Sequence, residues 1–286
     1  MRLLRPCIPL LSPLYVKPGE GQRERPREHR DGTYQTIQTK KTVTAKKAII
    51  MGATSGLGRE VALLLLREGW TLGLAGRRTD RLEALRQLAP DRVFTATIDV
   101  RQEGADGRLE QLIARMGGMD LYLHSSGIGR QNASLAADVE TETLETNGTG
   151  FVRMVTAAYR HFRRQGHGHL AVISSIAGTK GLGAAPAYSA TKRMQNTYID
   201  ALEQLAHLEH LPLVFTDIRP GFVATDLLNN GRHYPLLMRP ETVARHIVRA
   251  LRRQRRVAVI DVRYRLLVAL WRLIPRWLWK RLPVQN

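Results

Sequence analysis

Residues 46–58 read Lys46-Lys47-Ala48-Ile49-Ile50-Met51-Gly52-Ala53-Thr54-Ser55-Gly56-Leu57-Gly58, and the fold turns on this stretch. Ala48–Met51 is a short, unbroken apolar run closed by a glycine, as expected of a strand buried on both faces. An amphipathic segment, Arg59–Glu68, follows at once. Between them Gly52, Gly56 and Gly58 permit a tight turn and let the backbone approach an anion with no Cβ in the way. The next helix would present free N–H groups and a positive dipole end to that anion, and the Thr54 and Ser55 hydroxyls add donors. A glycine-rich turn alone is also what a plain structural loop looks like. Its position after a first strand and before a first helix favours a phosphate cradle.

The same alternation continues outward along the chain. Strand patterns lie at Lys47–Met51, Thr71–Gly76, Val93–Asp99, Leu121–Ser125, Leu170–Ser174, Leu213–Ile218 and Val257–Ile260. Helical patterns lie at Arg59–Glu68, Arg81–Leu88, Gly107–Met116, Glu140–Arg164, Tyr188–Leu208 and Pro240–Arg252. Strand–helix alternation predicts a Rossmann-like, doubly wound parallel α/β sheet of about seven strands in a single domain over residues 46–261. An extension (1–45) precedes it and a basic amphipathic tail (262–286) follows.

Of 286 residues, 44 are Lys or Arg and 25 Asp or Glu, a formal charge of +19. The charge is at the ends: +7 over residues 1–47, +9 over residues 252–286, and only +3 between. A nucleic-acid enzyme would carry its basic charge around its cleft, so no nucleic-acid partner is expected. The 43% apolar content excludes a wholly disordered chain, and one cysteine, Cys7, excludes an internal disulfide and any multi-cysteine metal site. Lys17–Gly32 reads as disordered. Pro6, Pro9 and Pro13 interrupt the leucines of the first 16 residues, with no clean small-residue cleavage site after them, so a secretion signal is not expected. His161, His167 and His169 read as a solvated cluster near a helix end, and no metal is expected.

The second strand ends in Ala75-Gly76-Arg77-Arg78. In a dinucleotide fold this end faces the adenosine ribose, where an acid would bind the 2′-hydroxyl. Here two guanidiniums stand instead, which favours a 2′-phosphate and so NADP(H). The simpler reading of Arg78 is a solvated residue after a strand. Downstream, Ser175 closes VISSIAG, Tyr188 follows thirteen residues later and Lys192 four after that, in AYSATK; Asn147 lies upstream in ETNGTG. A phenol with its ordinary pKa near 10 is a poor base at neutral pH. A lysine at i+4 shares its helix face and favours the tyrosinate by its charge. Ser175, delivered from a neighbouring strand end, can hydrogen-bond the reacting oxygen. Each residue alone has an ordinary explanation, whereas the ordered set behind a glycine loop does not.

The GxxxGxG loop and the Asn147–Ser175–Tyr188–Lys192 set resemble the short-chain dehydrogenase/reductase family over roughly residues 46–261. That resemblance implies hydride transfer with a nicotinamide cofactor. It makes Tyr188 the acid/base, has Lys192 also bind the nicotinamide ribose, lets Ser175 position the carbonyl, and has Asn147 hold a water that links Lys192 to solvent. It further implies Asp99 and Val100 beside the adenine, and Ser125 and Gly127 beside the cofactor. In the stretch Pro220-Gly221-Phe222-Val223-Ala224-Thr225, Val223 would meet the carboxamide and Thr225 the pyrophosphate. Where the family has Asn-Asn-Ala-Gly, this chain has His124-Ser125-Ser126-Gly127, with His124 read as a core residue. A homodimer or homotetramer through Glu140–Arg164 and Tyr188–Leu208 is implied by resemblance.

Substrate cover is expected from Asp226–Arg239, where Leu227, Leu228, Tyr234, Leu236, Leu237 and Met238 suit an apolar or lipid-like carbonyl or alcohol. Alternatively, these side chains only pack the cover onto the core. Within the tail, Arg265, Arg272, Arg276 and Lys280 form a basic stripe among leucines and tryptophans, with Pro275 as a kink. That composition suits an anionic membrane surface, so a cytoplasmic protein peripheral to a membrane is expected. Packing on another subunit is the rival. Because the tail lies beyond the last strand, its removal is expected to leave cofactor binding intact. The leading function is an NADP(H)-dependent oxidoreductase. A non-catalytic NADP(H)-binding sensor or scaffold is the alternative, and the reductase step of a lipid-linked sugar epimerisation is a variant of the enzyme reading.

Overall fold

The computed structural model describes residues 45–228 and 234–284. The expected extension lies outside these residues apart from Ala45, as do Asn229, Asn230, Arg232 and His233 of the expected substrate cover.

Seven parallel strands form one sheet: β1 (Lys47–Met51), β2 (Thr71–Gly76), β3 (Val93–Thr97), β4 (Leu121–His124), β5 (Gly168–Ile173), β6 (Leu213–Pro220) and β7 (Val257–Ile260). Their order is β3-β2-β1-β4-β5-β6-β7. Pairing of Met51 with both Ala75 and His124 brings three strand ends level. The order reverses between β1 and β4, so the crevice beyond these carboxyl ends is the topological switch point where such sheets bind ligands.

Period-two alternation explains why the strands read as continuous apolar runs. Ala48 and Ile50 enter one core with Val61 and Leu65 of α1 (Gly56–Arg67) and Val243 and Ile247 of α7 (Pro240–Arg252). Ile49 and Met51 enter the other, with α3 (Ala105–Met116), α5 (Phe151–Gln165) and α6 (Pro186–Leu208). The short α2 (Thr79–Arg86) joins β2 to β3 and packs with the first core.

The expected single helix Glu140–Arg164 is broken. The chain forms α4 (Ala137–Leu144), one π-helical turn over Glu145–Gly150, and then α5. The Asn147 carboxamide explains the break. Its Oδ1 accepts from Ile128 N at 2.8 Å and its Nδ2 donates to Ile128 O at 2.6 Å, pinning this turn to the loop after β4. π-Turns of this kind widen a helix locally by i→i+5 hydrogen bonding and are frequent at functional sites.

The tail also departs from expectation. It is α8 (Val262–Leu273), capped by Asp261, followed past Pro275 by α9 (Arg276–Trp279). Tyr264, Val268 and Trp279 are buried. The Tyr264 hydroxyl accepts from Phe222 N and donates toward the Pro235 and Leu236 carbonyls, all at 3.1 Å. Its ring lies over Gly221, where a Cβ would come within 2.2 Å of it. Lys180 Nζ donates to Ile274 O at 2.8 Å, and Trp279 Nε1 to Gly181 O at 2.8 Å. The tail is therefore stapled to both segments that flank the crevice, rather than lying apart from them beyond the last strand. Among the described residues, no helix is long and apolar enough to cross a membrane.

Candidate functional site

The glycine loop forms as read. Gly52 has φ +92° and lies so close to the loop after β4 that a Cβ would be 2.6 Å from Ser126 N. A Cβ on Gly58 would be 2.2 Å from Gly52 O, so the start of α1 presses directly on the strand end. Gly56 faces open space, with only the Thr225 methyl region 3.4 Å from its notional Cβ. These are the contacts of a backbone cradle, and residues 55–57 open α1 with no acidic side chain in its first turn.

The two arginines after β2 are placed differently. Arg77 is exposed. Arg78 turns back onto the loop, donating to Thr54 Oγ1 at 3.0 Å and to Ser55 Oγ at 2.5 Å. Arg81, absent from the expected set, joins Arg78 in facing Asp226 at 3.6–3.8 Å. Three guanidiniums thus gather at this corner, which suits a doubly charged phosphate. Asp99 accepts from Arg101 N at 3.0 Å and from its guanidinium. Burial pushes the Asp99 carboxyl up, but these hydrogen bonds and the Arg101 charge outweigh it and hold the group below its ordinary value.

One cavity of about 1070 Å³ runs from this corner to the sheet end. Gly52, Thr54, Ser55, Gly56, Leu57, Arg77, Arg78, Asp99, Val100, Ser125, Gly127, Pro220, Gly221, Val223 and Thr225 all line it, as do Ser175, Tyr188 and Lys192. Asn147 and Gly58 stand behind the wall. The cavity is long enough in lining to hold an extended dinucleotide together with a small partner, and its glycine faces, guanidiniums and helix terminus fit NADP(H).

At the sheet end, Ser175 Oγ accepts from Ala177 N at 3.1 Å, which leaves its proton free to donate. Burial pushes the Tyr188 hydroxyl pKa up, while a hydrogen bond with Ser175 pulls it down. Lys192 Nζ lies 5.7 Å from the Tyr188 ring centre. Burial lowers the Lys192 ammonium to about 8, and Asp217 counters that fall. Gly129 makes room for the Tyr188 ring, since a Cβ there would be 2.7 Å from Cε2.

Several contributors escaped sequence reading. Asp217, fully buried on β6, receives Ser174 Oγ, Asn196 Nδ2 at 2.8 Å and Arg219 Nε at 2.7 Å, forming a polar truss under the Ser175 loop. Gln195 bridges Lys192 and Asn147. Trp271, from α8, lines the cavity together with Tyr234 of the expected substrate cover. Their only advance signal was the i, i+3 and i+4 relation of Gln195 and Asn196 to Lys192. His124 is a core residue, as expected. Its Nδ1 meets Tyr122 Oη at 3.0 Å, its ring stands edge-on to Phe151, and burial lowers its pKa to about 3.

A family model described as "short chain dehydrogenase" matches residues 46–234. An "uncharacterized oxidoreductase" of Myxococcus xanthus is 36% identical over 200 residues, covering 68% of this chain and 78% of that one. A bovine (Bos taurus) protein, dehydrogenase/reductase SDR family member 7B, is 32% identical over 236 residues, 74% of this chain and 72% of its own. Among solved structures, a short-chain dehydrogenase from Streptomyces avermitilis superposes with TM-score 0.70 at 22% identity, over 80% of this chain and 93% of that one. An actinorhodin polyketide ketoreductase with NADPH gives TM-score 0.66 at 22% identity, over 76% and 95%. At such identities the structures bear on the fold.

Proposed function

Since the chain belongs to the short-chain dehydrogenase/reductase family, we propose that it is an NADP(H)-dependent oxidoreductase interconverting a carbonyl and an alcohol on an apolar or lipid-like substrate. The observation that carries this reading is the convergence of Ser175, Tyr188 and Lys192 on one wall of a cavity whose far end is the glycine loop and its arginines.

Bound nicotinamide supplies the hydride. The chain's own groups handle the rest. Ser175 donates a hydrogen bond to the substrate oxygen as charge grows on it. Tyr188 gives that oxygen its proton in reduction and takes it back in oxidation. The Lys192 ammonium favours the tyrosinate that forms. Thr54, Ser55, Arg77 and Arg78, with Arg81, would hold the 2′-phosphate. Gly52, Gly56, Leu57 and Thr225 would cradle the pyrophosphate, with Gly58 behind them letting α1 close on the strand end. Asp99 and Val100 would flank the adenine, and Ser125, Gly127, Pro220, Gly221 and Val223 the nicotinamide half. Phe222, Leu228, Tyr234 and Trp271 give part of the cavity wall an apolar, aromatic face, beside the polar Arg130 and Gln131, and that face supports an apolar substrate.

In this reading, residues 46–261 are the catalytic unit and residues 262–286 face an anionic membrane. Leu266, Leu270, Leu273 and Trp277 are 61–78% exposed on the side of α8 and α9 away from the sheet. Six Lys/Arg and no acid occupy residues 262–286. Pairing two such faces across a two-fold axis would bring only like charges together, whereas anionic headgroups complement them. Self-association through α5 and α6 is the corresponding proposal for oligomerisation.

The test is NADPH oxidation against a panel of aliphatic and aromatic aldehydes and ketones, with Tyr188→Phe as control. Turnover that disappears in the variant, with NADPH binding retained, is expected. Binding without turnover on any substrate would favour a sensor or scaffold.

A further inference from the structure

The Asn147 carbonyl, inside the π-helical turn, takes a hydrogen bond from Gln195 Nε2 at 2.9 Å. Gln195 Oε1 in turn accepts from Lys192 Nζ at 3.0 Å, and Lys192 Nζ also donates to Ile173 O at 3.1 Å. Gln195 is fully buried. A carboxamide oxygen accepts and a carboxamide nitrogen donates, so both ends of this bridge are fixed in direction. A water at the same place could reverse its donor and acceptor roles.

We infer that Gln195 is a positioning residue for Lys192: its amide takes the place of the bridging water that the family resemblance assigns to Asn147, and it supplies the acceptor that keeps the Lys192 ammonium charged and aimed at the cleft. This rests on the reading of Tyr188 and Lys192 as the proton-transfer pair. Other groups face Lys192 from every side. Tyr188 lies one turn earlier on α6. His124 stands at the end of β4, and its neutral ring holds no charge there near neutral pH. Asp217 on β6 favours the ammonium but is itself shared with Arg219, Asn196 and Ser174. None of these supplies the Nζ acceptor that Gln195 does. Removing that acceptor leaves a buried ammonium with one protein hydrogen bond, and so favours its neutral form.

Three variants test this. Gln195→Met keeps the volume and removes the acceptor. At about pH 7 its kcat should fall at least tenfold with KM for the carbonyl substrate within twofold of the parent, and the loss should shrink at about pH 6 as Lys192 regains its proton. Gln195→Ser leaves room for a water and should recover part of the lost kcat. Gln195→Glu fills the same space with a carboxylate and should move the basic limb of the kcat profile up by about one unit or more. A readout independent of turnover is the melting temperature of the cofactor-free proteins against pH. The rise contributed by deprotonating Lys192 should start at lower pH in Gln195→Met and at higher pH in Gln195→Glu. Equal losses at all pH values, or a Gln195→Glu profile and melting curve that superpose on the parent, would overturn the inference. Should Gln195→Met fail to fold, Gln195→Glu still decides it. Turnover retained by Tyr188→Phe would instead remove the underlying proton-transfer reading, while the melting curves would still report on Gln195.

Discussion

Tyr188 and the arginines of the glycine-loop corner carry the predictions that belong to single residues. Tyr188→Phe removes only the hydroxyl, so NADPH affinity should stay within about twofold while kcat falls by roughly 10²–10⁴, the usual contribution of a positioned acid or base. Stopped-flow turnover beside a fluorescence titration measures both. Lys192→Ala should damage binding and turnover together. For cofactor choice, NADPH should bind at least tenfold more tightly than NADH, about 1.4 kcal/mol. Arg78, hydrogen-bonded to Thr54 and Ser55, and the exposed Arg77 are the proposed determinants of that preference. Arg77→Ala and Arg78→Ala should each erode the ratio and the double variant should abolish it. Equal NADPH and NADH affinity in the unaltered protein would sink the assignment.

At the scale of elements, α8 and the β6–α7 segment form one unit with the substrate wall. The Tyr264 hydroxyl is tied to three backbone groups, and its ring fills the space that Gly221 leaves open. Truncation at residue 261 should therefore lower the melting temperature and weaken NADPH binding. An unchanged melting curve and unchanged affinity would show that α8 is an appendage after all. Gly58→Ala makes a complementary test at the other end of the cavity. Its Cβ would fall 2.2 Å from Gly52 O, backbone against backbone. No side chain can move to relieve that clash, so cofactor binding should be lost by calorimetric titration. The π turn belongs to this scale too. Helical periodicity runs unbroken through Glu140–Arg164, and only the contact of Asn147 with Ile128, nineteen residues away, explains why the helix widens there.

For the whole molecule, acid stability and surface attachment are the measurable consequences. Burial holds His124 at about 3 and His169 at about 4, against an ordinary 6.5. Between about pH 6.5 and pH 4 the unfolded chain then binds protons that the folded chain refuses, so stability falls as pH falls through that window. The melting temperature should drop across it, and His124→Asn should flatten the drop. For attachment, the full-length protein should sediment with anionic vesicles and be released only in part by high salt, because salt screens the arginines but not the buried leucines and tryptophan. Leu266→Glu combined with Trp277→Glu alters only exposed positions. It should leave the protein folded and abolish sedimentation; sedimentation equal to that of the parent would remove the membrane reading.

The parallel sheet and the order of glycine loop, Ser175, Tyr188 and Lys192 were legible in the sequence because they rest on local chemistry. Period-two apolar runs make strands, glycine spacing makes a cradle, and i, i+4 spacing puts two side chains on one helix face. Other features were not legible, because each joins residues far apart along the chain. Arg78 folds back on Thr54, Gln195 reaches Asn147 across 48 positions, and Trp279 meets Gly181 across 98. The tail shows the limit most clearly. Its composition reads as an amphipathic helix, but composition cannot say which apolar face finds a partner. Packing decided that: Tyr264 and Val268 enter the first core, Trp279 settles on the loop at Gly181, and Leu266, Leu270, Leu273 and Trp277 remain outside. Local sequence determined the elements and the chemical groups at their ends. Only the tertiary contacts, by fixing which buried polar atoms satisfy one another, decided how those groups are held.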